Sequence, residues 1–85
     1  MPSAIEMWYD KQSPKAGISE FYNCTFIECN LDVNSRQFFN CVFDNCIFHW
    51  NGVSPVKHMG CIINQGMSAN QFTIMQIFWP DLYLK

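Results

Sequence analysis

Cysteine and histidine are the residues of this chain best suited to chemistry. The 85 residues include five Cys, at positions 24, 29, 41, 46 and 61, and two His, His49 and His58. Thiolates and imidazoles are preferred ligands of zinc, and a thiolate beside an imidazole can serve as a nucleophile. Both functions need these groups to be close together and accessible. The segments that carry the Cys therefore decide whether either function is predicted.

The cysteines recur in a pattern typical of core packing. Four residues separate Cys24 from Cys29 and Cys41 from Cys46, a wider spacing than in the tightest zinc knuckles. Each of these four Cys is also followed two positions later by Phe or Leu. Because a buried Cys behaves as a small hydrophobe, we predict that the Cys pack inside the fold. We also predict that the chain binds no metal or cofactor and is not an enzyme, with a small Cys/His zinc-binding protein as the alternative.

Composition indicates one folded domain with an aromatic core. Hydrophobic residues make up 49% of the chain and charged residues 14%, with eight Phe, three Trp and three Tyr, which excludes disorder. The net charge of −2 is too small for a basic nucleic-acid binder or a heavily acidic DNA mimic. The sequence shows neither a long apolar run nor a basic start followed by an apolar stretch. We therefore expect a cytoplasmic protein with reduced Cys.

A five-residue repeat runs through the middle of the chain. Cys-Thr-Phe-Ile-Glu and Cys-Asn-Leu-Asp-Val are followed, after Asn34-Ser35, by Arg-Gln-Phe-Phe-Asn, Cys-Val-Phe-Asp-Asn and Cys-Ile-Phe-His-Trp. In the Cys units a small and a large apolar residue stand two apart, which suits a short extended piece with both side chains inward. The remaining residues suit a corner, as at Asn23, Asn40 and Asn45. The repeat therefore predicts a solenoid.

The predicted core of this solenoid consists of the inward residues of the units. Each large apolar residue contributes about 1.5–3 kcal/mol when fully buried. The core residues are Phe21, Cys24, Phe26, Cys29, Leu31, Phe38, Cys41, Phe43, Cys46 and Phe48.

The triplets Cys-Thr-Phe, Cys-Asn-Leu, Cys-Val-Phe and Cys-Ile-Phe resemble those of the pentapeptide-repeat family over residues 19–53. The resemblance implies a mainly β fold, a right-handed quadrilateral β-helix with four quintets in each coil. This sequence departs from the family pattern by the insertion of Asn34-Ser35. Six or seven quintets then give under two coils, so the flanking segments are expected to cap the open ends.

Two stacking offsets fit the repeat. Four sides plus the two inserted residues give an offset of 22, which places Phe43 on Phe21. An offset of 17 instead aligns Phe-Tyr-Asn-Cys-Thr-Phe directly with Phe-Phe-Asn-Cys-Val-Phe. We favour the offset of 22.

The single domain, residues 1–85, is predicted to consist of the repeats and two flanking segments. In the N-terminal cap, residues 1–18, Ser3 and Glu6 have the spacing of a capping box, which predicts a short helix over residues 4–11. In the C-terminal segment, residues 54–85, the stretch 69–79 fits a helix as well as a strand. Because residues 68–84 are too apolar to be exposed, they are predicted to form a cap or a homodimer interface.

The resemblance also implies a binding function without catalysis. The best-known members of the family bind type II topoisomerases as DNA mimics, which implies a protein partner in nucleic-acid machinery and no direct binding to nucleic acid or membrane. A second form of this hypothesis is a phage-encoded inhibitor of a defence complex such as CRISPR-Cas, acting in the host cytoplasm. A structural oligomerisation module is the alternative. The candidate partner contacts are Glu20, Glu28, Asp32, Asp44, Trp50 and Trp79.

Overall fold

The computed structural model describes residues 3–64 and 71–78 of the chain. Within them the chain forms ten three-residue strands and one helix. The middle residue of each strand points inward and its two neighbours outward, as the alternation of a strand requires. The elements are β1 (Ser3–Ile5), β2 (Trp8–Asp10), β3 (Glu20–Tyr22), β4 (Thr25–Ile27), β5 (Asn30–Asp32), β6 (Gln37–Phe39), β7 (Val42–Asp44), β8 (Ile47–His49), β9 (Lys57–Met59), β10 (Ile62–Asn64) and α1 (Gln71–Phe78).

The strands of the described residues stack in three parallel sheets. Sheet A contains β1, β3, β6 and β9, sheet B contains β2, β4, β7 and β10, and sheet C contains β5 and β8. In the second and third coils the chain visits A, B and C in turn and then returns to A, and with the coils before and after them it winds as a solenoid of about four coils. The predicted mainly β solenoid is confirmed. Between sheets C and A, where a fourth side was expected, the chain runs through a link without a strand, residues 33–36 in the second coil.

The number of coils is larger than predicted because the flanking segments take part in the winding. Residues 3–18, expected as a cap with a helix over residues 4–11, form the first coil instead. There β1 pairs with β3 and β2 pairs with β4. The Ser3 hydroxyl donates a hydrogen bond to Glu20 on the next coil (3.4 Å), so its side chain ties two coils together. Strands β9 and β10 likewise form a fourth coil, which makes the expectation of under two coils wrong.

The third coil stacks on the second with an offset of 17 residues. The amide of Asn51 donates a hydrogen bond to the side chain of Asn34 across the same separation. Phe21 pairs with Phe38, and Phe26 pairs with Phe43. The favoured offset of 22 is therefore wrong, because the link between sheets C and A is long enough to return the chain to sheet A. The step to the fourth coil is three positions longer, since Phe38 pairs with His58.

Stacked rings fill the interior of the solenoid. Tyr9, Phe26 and Phe43 form one column, with ring centroids 5.1 and 5.0 Å apart and ring planes inclined by 9°. Phe21 and Phe38 form a second column, with 5.1 Å between their centroids. Such ring pairs add about 0.5–1.5 kcal/mol to the free energy gained from burial. The ten residues expected in the core are all buried, and none is more than 4% exposed.

Left-handed backbone turns the chain from one sheet to the next. Asn23, Asn40 and Asn45 have φ of 54–56°, and Asn and Gly adopt this region more readily than other residues. Glu28 has a φ of 50° at the corner between sheets B and C. The amide of Asn23 donates to the carbonyl of Phe39 on the next coil (2.9 Å), so the corners continue the hydrogen-bonded ladder of the strands.

Helix α1 closes the C-terminal end of the solenoid. The ring of Phe78 lies 5.5 Å from that of Phe43 and 5.2 Å from that of Phe48. Of the two alternatives for residues 69–79, the structure shows the helix over residues 71–78. The remainder of the proposed dimer segment, residues 68–70 and 79–84, lies outside the described residues. No helix in the described ranges is long and apolar enough to cross a membrane.

The corner geometry predicts that Glu28→Asn stabilises the protein. Asn relieves the unfavourable left-handed conformation of Glu28, which we expect to raise the free energy of unfolding by about 0.5–1 kcal/mol. Urea denaturation followed by circular dichroism measures the change. Glu28→Gln is the matched control, because it removes the same charge without easing the backbone. Equal stabilisation by both variants would show that charge, and not the backbone conformation, is responsible.

Candidate protein-binding surface

The five Cys thiols all lie inside the solenoid. Each is at most 2% exposed and none forms a disulfide. Every thiol lies between two backbone carbonyls, one on its own coil and one on the preceding coil. The Sγ of Cys46 lies 3.3 Å from the carbonyl oxygen of Phe26 and 3.6 Å from that of Asp44. The thiol group thus supplies a weak donor where the coils meet.

Two of these thiols, Cys41 and Cys46, have raised pKa values. Burial raises the pKa of Cys46 to about 11. A hydrogen bond with Cys61 raises the pKa of Cys41, and burial adds to the effect. Since the thiolate is both the nucleophile and the metal ligand, these two thiols lack the activation that either function requires.

The two His lie on different sheets, His49 on sheet C and His58 on sheet A. His49 is exposed on the outer face of sheet C, where its Nε2 lies 3.3 Å from the side-chain oxygen of Asn30. His58 occupies an inward position of β9 and contacts the ring of Phe78, with centroids 5.2 Å apart. Among residues 3–64 and 71–78, no group of three His, Cys, Asp or Glu is arranged to hold a metal ion.

An apolar column runs along the outer face of sheet A. Ile5, Tyr22, Phe39 and Met59 occupy the same outward position of four successive coils. Tyr22 and Phe39 stack with 5.2 Å between their ring centroids and 14° between their planes. Ile5 is 60% exposed and Met59 is 64% exposed. Water therefore reaches a continuous row of apolar side chains.

A second column, apolar except for Thr25, lies across the corner, on sheet B. It consists of Trp8, Thr25, Val42 and Ile62, which are paired from coil to coil. Trp8 is 65% exposed. We call the two columns together the apolar edge: Ile5, Tyr22, Phe39, Met59, Trp8, Thr25, Val42 and Ile62. In contrast, sheet C presents mostly polar residues outward, among them Asn30, Asp32 and His49.

The apolar edge is bordered by a carboxylate. The hydroxyl of Tyr22 donates a hydrogen bond to Glu20 at 2.7 Å. That bond raises the pKa of Tyr22, with a smaller contribution from burial. The Glu20 carboxylate thus lies beside the stacked rings of Tyr22 and Phe39.

The four carboxylates predicted as partner contacts do not form one surface. Glu20 lies on sheet A, Asp44 on sheet B and Asp32 on sheet C. Glu28, at the corner after β4, lies near Asp44, since its amide donates to the carbonyl of Asp44 at 2.8 Å. The four carboxylates therefore surround the solenoid instead of lining one stripe.

Of the two Trp predicted as partner contacts, Trp50 lies within the described residues. Trp50 is half-buried against the core, and its indole Nε1 donates a hydrogen bond to the carbonyl of Ser54 at 2.9 Å. It thereby holds the link between the third and fourth coils. Trp79 lies outside the described residues.

Sequence reasoning missed the apolar edge and the buried Arg36. The signal for the edge was present: the outward residue directly after the inward one is apolar in Phe21-Tyr22 and in Phe38-Phe39. Arg36 is 8% exposed; its guanidinium donates to the carbonyl of Lys15 (3.0 Å) and lies 5.4 Å from the centre of the Phe21 ring. Burial lowers the pKa of Arg36, while the charge of Asp32 opposes the shift. No local sequence pattern predicts the contact between Arg36 and Lys15, which are 21 positions apart.

Comparison with known protein families, characterised proteins and solved structures found no match to this chain.

The position of the thiols predicts that the fold does not depend on metal. In Cys24→Ala/Cys46→Ala, two small core contacts are lost, so we expect a folded protein with each substitution costing about 1–3 kcal/mol. Native mass spectrometry of the unsubstituted chain should show five reduced thiols and no metal adduct. An unfolded double variant together with a stoichiometric zinc adduct of the original chain would instead show that metal supplies the folding energy.

The raised thiol pKa values predict that stability falls at alkaline pH. The folded state binds the Cys46 proton more tightly than the unfolded state, whose thiol has a pKa of about 8.5. The resulting stability is complete below that value and is lost as the pH rises towards about 11. We expect the urea midpoint to fall over this range, and to fall less in Cys46→Ala. A midpoint that stays constant or rises would contradict the assignment.

Proposed function

We propose that this chain is a non-catalytic binding protein whose apolar edge docks on a protein partner. The observation that carries the proposal is the pair of apolar columns on sheets A and B, with Ile5, Trp8 and Met59 each at least 60% exposed. Apolar surface that is contiguous and exposed marks sites of protein interaction. The edge also carries Trp8 and Tyr22, residue types enriched among binding hot spots.

The solenoid supports this function because it holds the apolar edge rigidly. Each of Tyr22 and Phe39 belongs to a strand with a hydrogen-bonded neighbour on both sides. Their rings are already stacked, so little side-chain freedom remains to be lost on binding. A preorganised surface of this kind favours a stable complex over a transient contact.

The proposed mode of action is stoichiometric, in the cytoplasm. The thiols with raised pKa, Cys41 and Cys46, favour packing over catalysis, and five Cys in the thiol form suit a reducing compartment. Such a protein acts by occupying a surface of its partner. That the partner belongs to nucleic-acid machinery, whether a topoisomerase or a CRISPR complex, stays a prediction from the family resemblance.

The proposal predicts that partner binding depends on the apolar edge. With the immobilised chain in a bacterial lysate, we expect one protein to be retained near one equivalent. Met59→Glu should reduce its retention at least about tenfold, because it places a charge in the apolar column. Val53→Glu is the matched control: Val53 is 84% exposed but lies in the link after β8, outside the edge.

Titration of the retained protein distinguishes the mode of action. If that protein is an enzyme, its inhibition should be complete near one equivalent of the chain. Turnover of a substrate by the chain itself would refute the proposal, and so would equal losses of binding in Met59→Glu and Val53→Glu.

A further inference from the structure

The outer faces of sheets A and B carry an excess of negative charge. Five charged side chains lie outward around the apolar edge, on either sheet or at the corner between them: Glu6, Asp10, Glu20, Asp44 and Lys57. None of the five is buried. Four carboxylates against one ammonium give these two faces a net charge of −3.

The exposed charges on the rest of the described surface balance. Two basic residues, Lys11 and Lys15, stand against two acidic residues, Glu28 and Asp32, and Arg36 is buried. The excess negative charge of the described surface is therefore confined to the two faces that also carry the apolar edge. A partner surface that covers these faces is best matched by basic groups, because opposite charges attract and like charges repel across an interface.

These faces offer a partner side chains and not backbone groups. Strands β4 and β7 each have a hydrogen-bonded neighbour on both sides within sheet B, so their N–H and C=O groups are used along the stack. A strand of a partner therefore cannot pair with them across the face. An α-helix satisfies its own backbone groups and presents only side chains, so it is the element that suits this face.

The apolar column of sheet B repeats at nearly the pitch of a helix. Trp8, Thr25, Val42 and Ile62 form this column, which we call the sheet B column. Neighbouring strands are about 4.8 Å apart, so the column is about 14 Å long. Successive turns of an α-helix are about 5.4 Å apart. A helix of three turns can therefore place one apolar side chain against each coil.

A second column on the same face carries two of the carboxylates. Asp10, Ile27 and Asp44 are paired from coil to coil, so Asp10 and Asp44 stand two coils, or about 9.5 Å, apart. Two residues seven positions apart on one side of a helix are about 10.5 Å apart along its axis. Two basic residues with this spacing match the two carboxylates.

We propose that the partner of the apolar edge presents a basic amphipathic helix to sheet B. The helix lies along the solenoid axis with its apolar side against the sheet B column. Its Lys or Arg residues, seven positions apart, meet Asp10 and Asp44. Glu6 and Glu20 add to the attraction from the neighbouring corner and from sheet A. This inference rests on the proposed function and adds to it the chemistry of the partner.

Two synthetic peptides test this inference on the full chain. Each is an amphipathic helix of about 18 residues with a stripe of Leu, flanked by Lys in one peptide and by Glu at the same positions in the other. Fluorescence anisotropy at about 150 mM salt should show that the Lys peptide binds at least about tenfold more tightly than the Glu peptide. The ratio should shrink as salt is added, because salt screens exposed charges.

The double variant Asp10→Asn/Asp44→Asn should weaken binding of the Lys peptide at least about fivefold, because it removes both carboxylates of the proposed contact. Asp32→Asn/Val53→Lys is the matched control. It changes the net charge by the same amount, but on sheet C and in the link after β8, and Asn at position 32 keeps a side-chain oxygen to accept the hydrogen bonds of Asn34. The control should leave the affinity within about twofold, and circular dichroism should show both variants folded.

Two outcomes would overturn the basic helix while leaving a partner at the apolar edge intact: equal binding of the two peptides, or equal losses in the two double variants. A Lys peptide that does not bind at about 100 µM would overturn it as well. The proposed function is refuted separately, by the lysate experiment with Met59→Glu and Val53→Glu.

Discussion

The register between successive coils is the constraint on which the rest of this structure depends. A three-residue strand has no stability of its own, so each strand relies on the strands before and after it. A shift of one residue would turn Phe26 outward and Thr25 or Ile27 inward. A register that stacks the rings also aligns the corners. This explains why the left-handed residues Asn23 and Asn40 occupy equivalent corners of the second and third coils.

The same register explains why the Cys residues, whose thiols are the most reactive groups of the chain, are used in packing. The small inward position beside a corner lies within reach of two carbonyl oxygens, one of them on the coil before. A thiol fills this space and tolerates weak donation, whereas a stronger polar group would need a better partner. The thiols are thus used in packing between coils, and the proposed function rests on the outward side chains instead.

The sequence predicted the middle coils well because their signal is local. The triplets Cys-Val-Phe and Cys-Ile-Phe directly indicate which residues point inward. The first coil instead has Ala4 and Tyr9 at these inward positions, and the fourth coil has His58, where the middle coils have Phe. The repeat pattern therefore did not predict these outer coils. The preferred offset was wrong because it assumed four full sides, while the link back to sheet A contains no strand. The apolar edge was missed because inward periodicity says little about which outward residues become neighbours.

The link after the third coil shows where the chain absorbs changes in length. Phe43 pairs with Ile63 across it, a step three positions longer than that from Phe26 to Phe43, yet sheets A and B continue in register. The side chain of Asn51 organises this link by accepting hydrogen bonds from the amides of the residues at positions 53 and 54. Corners such as Asn23, whose amide donates to the carbonyl of Phe39 on the next coil, have no such freedom. Insertions, peptide tags or grafted epitopes are accordingly best tolerated at this position, and evolution could diversify the protein there without rebuilding its core.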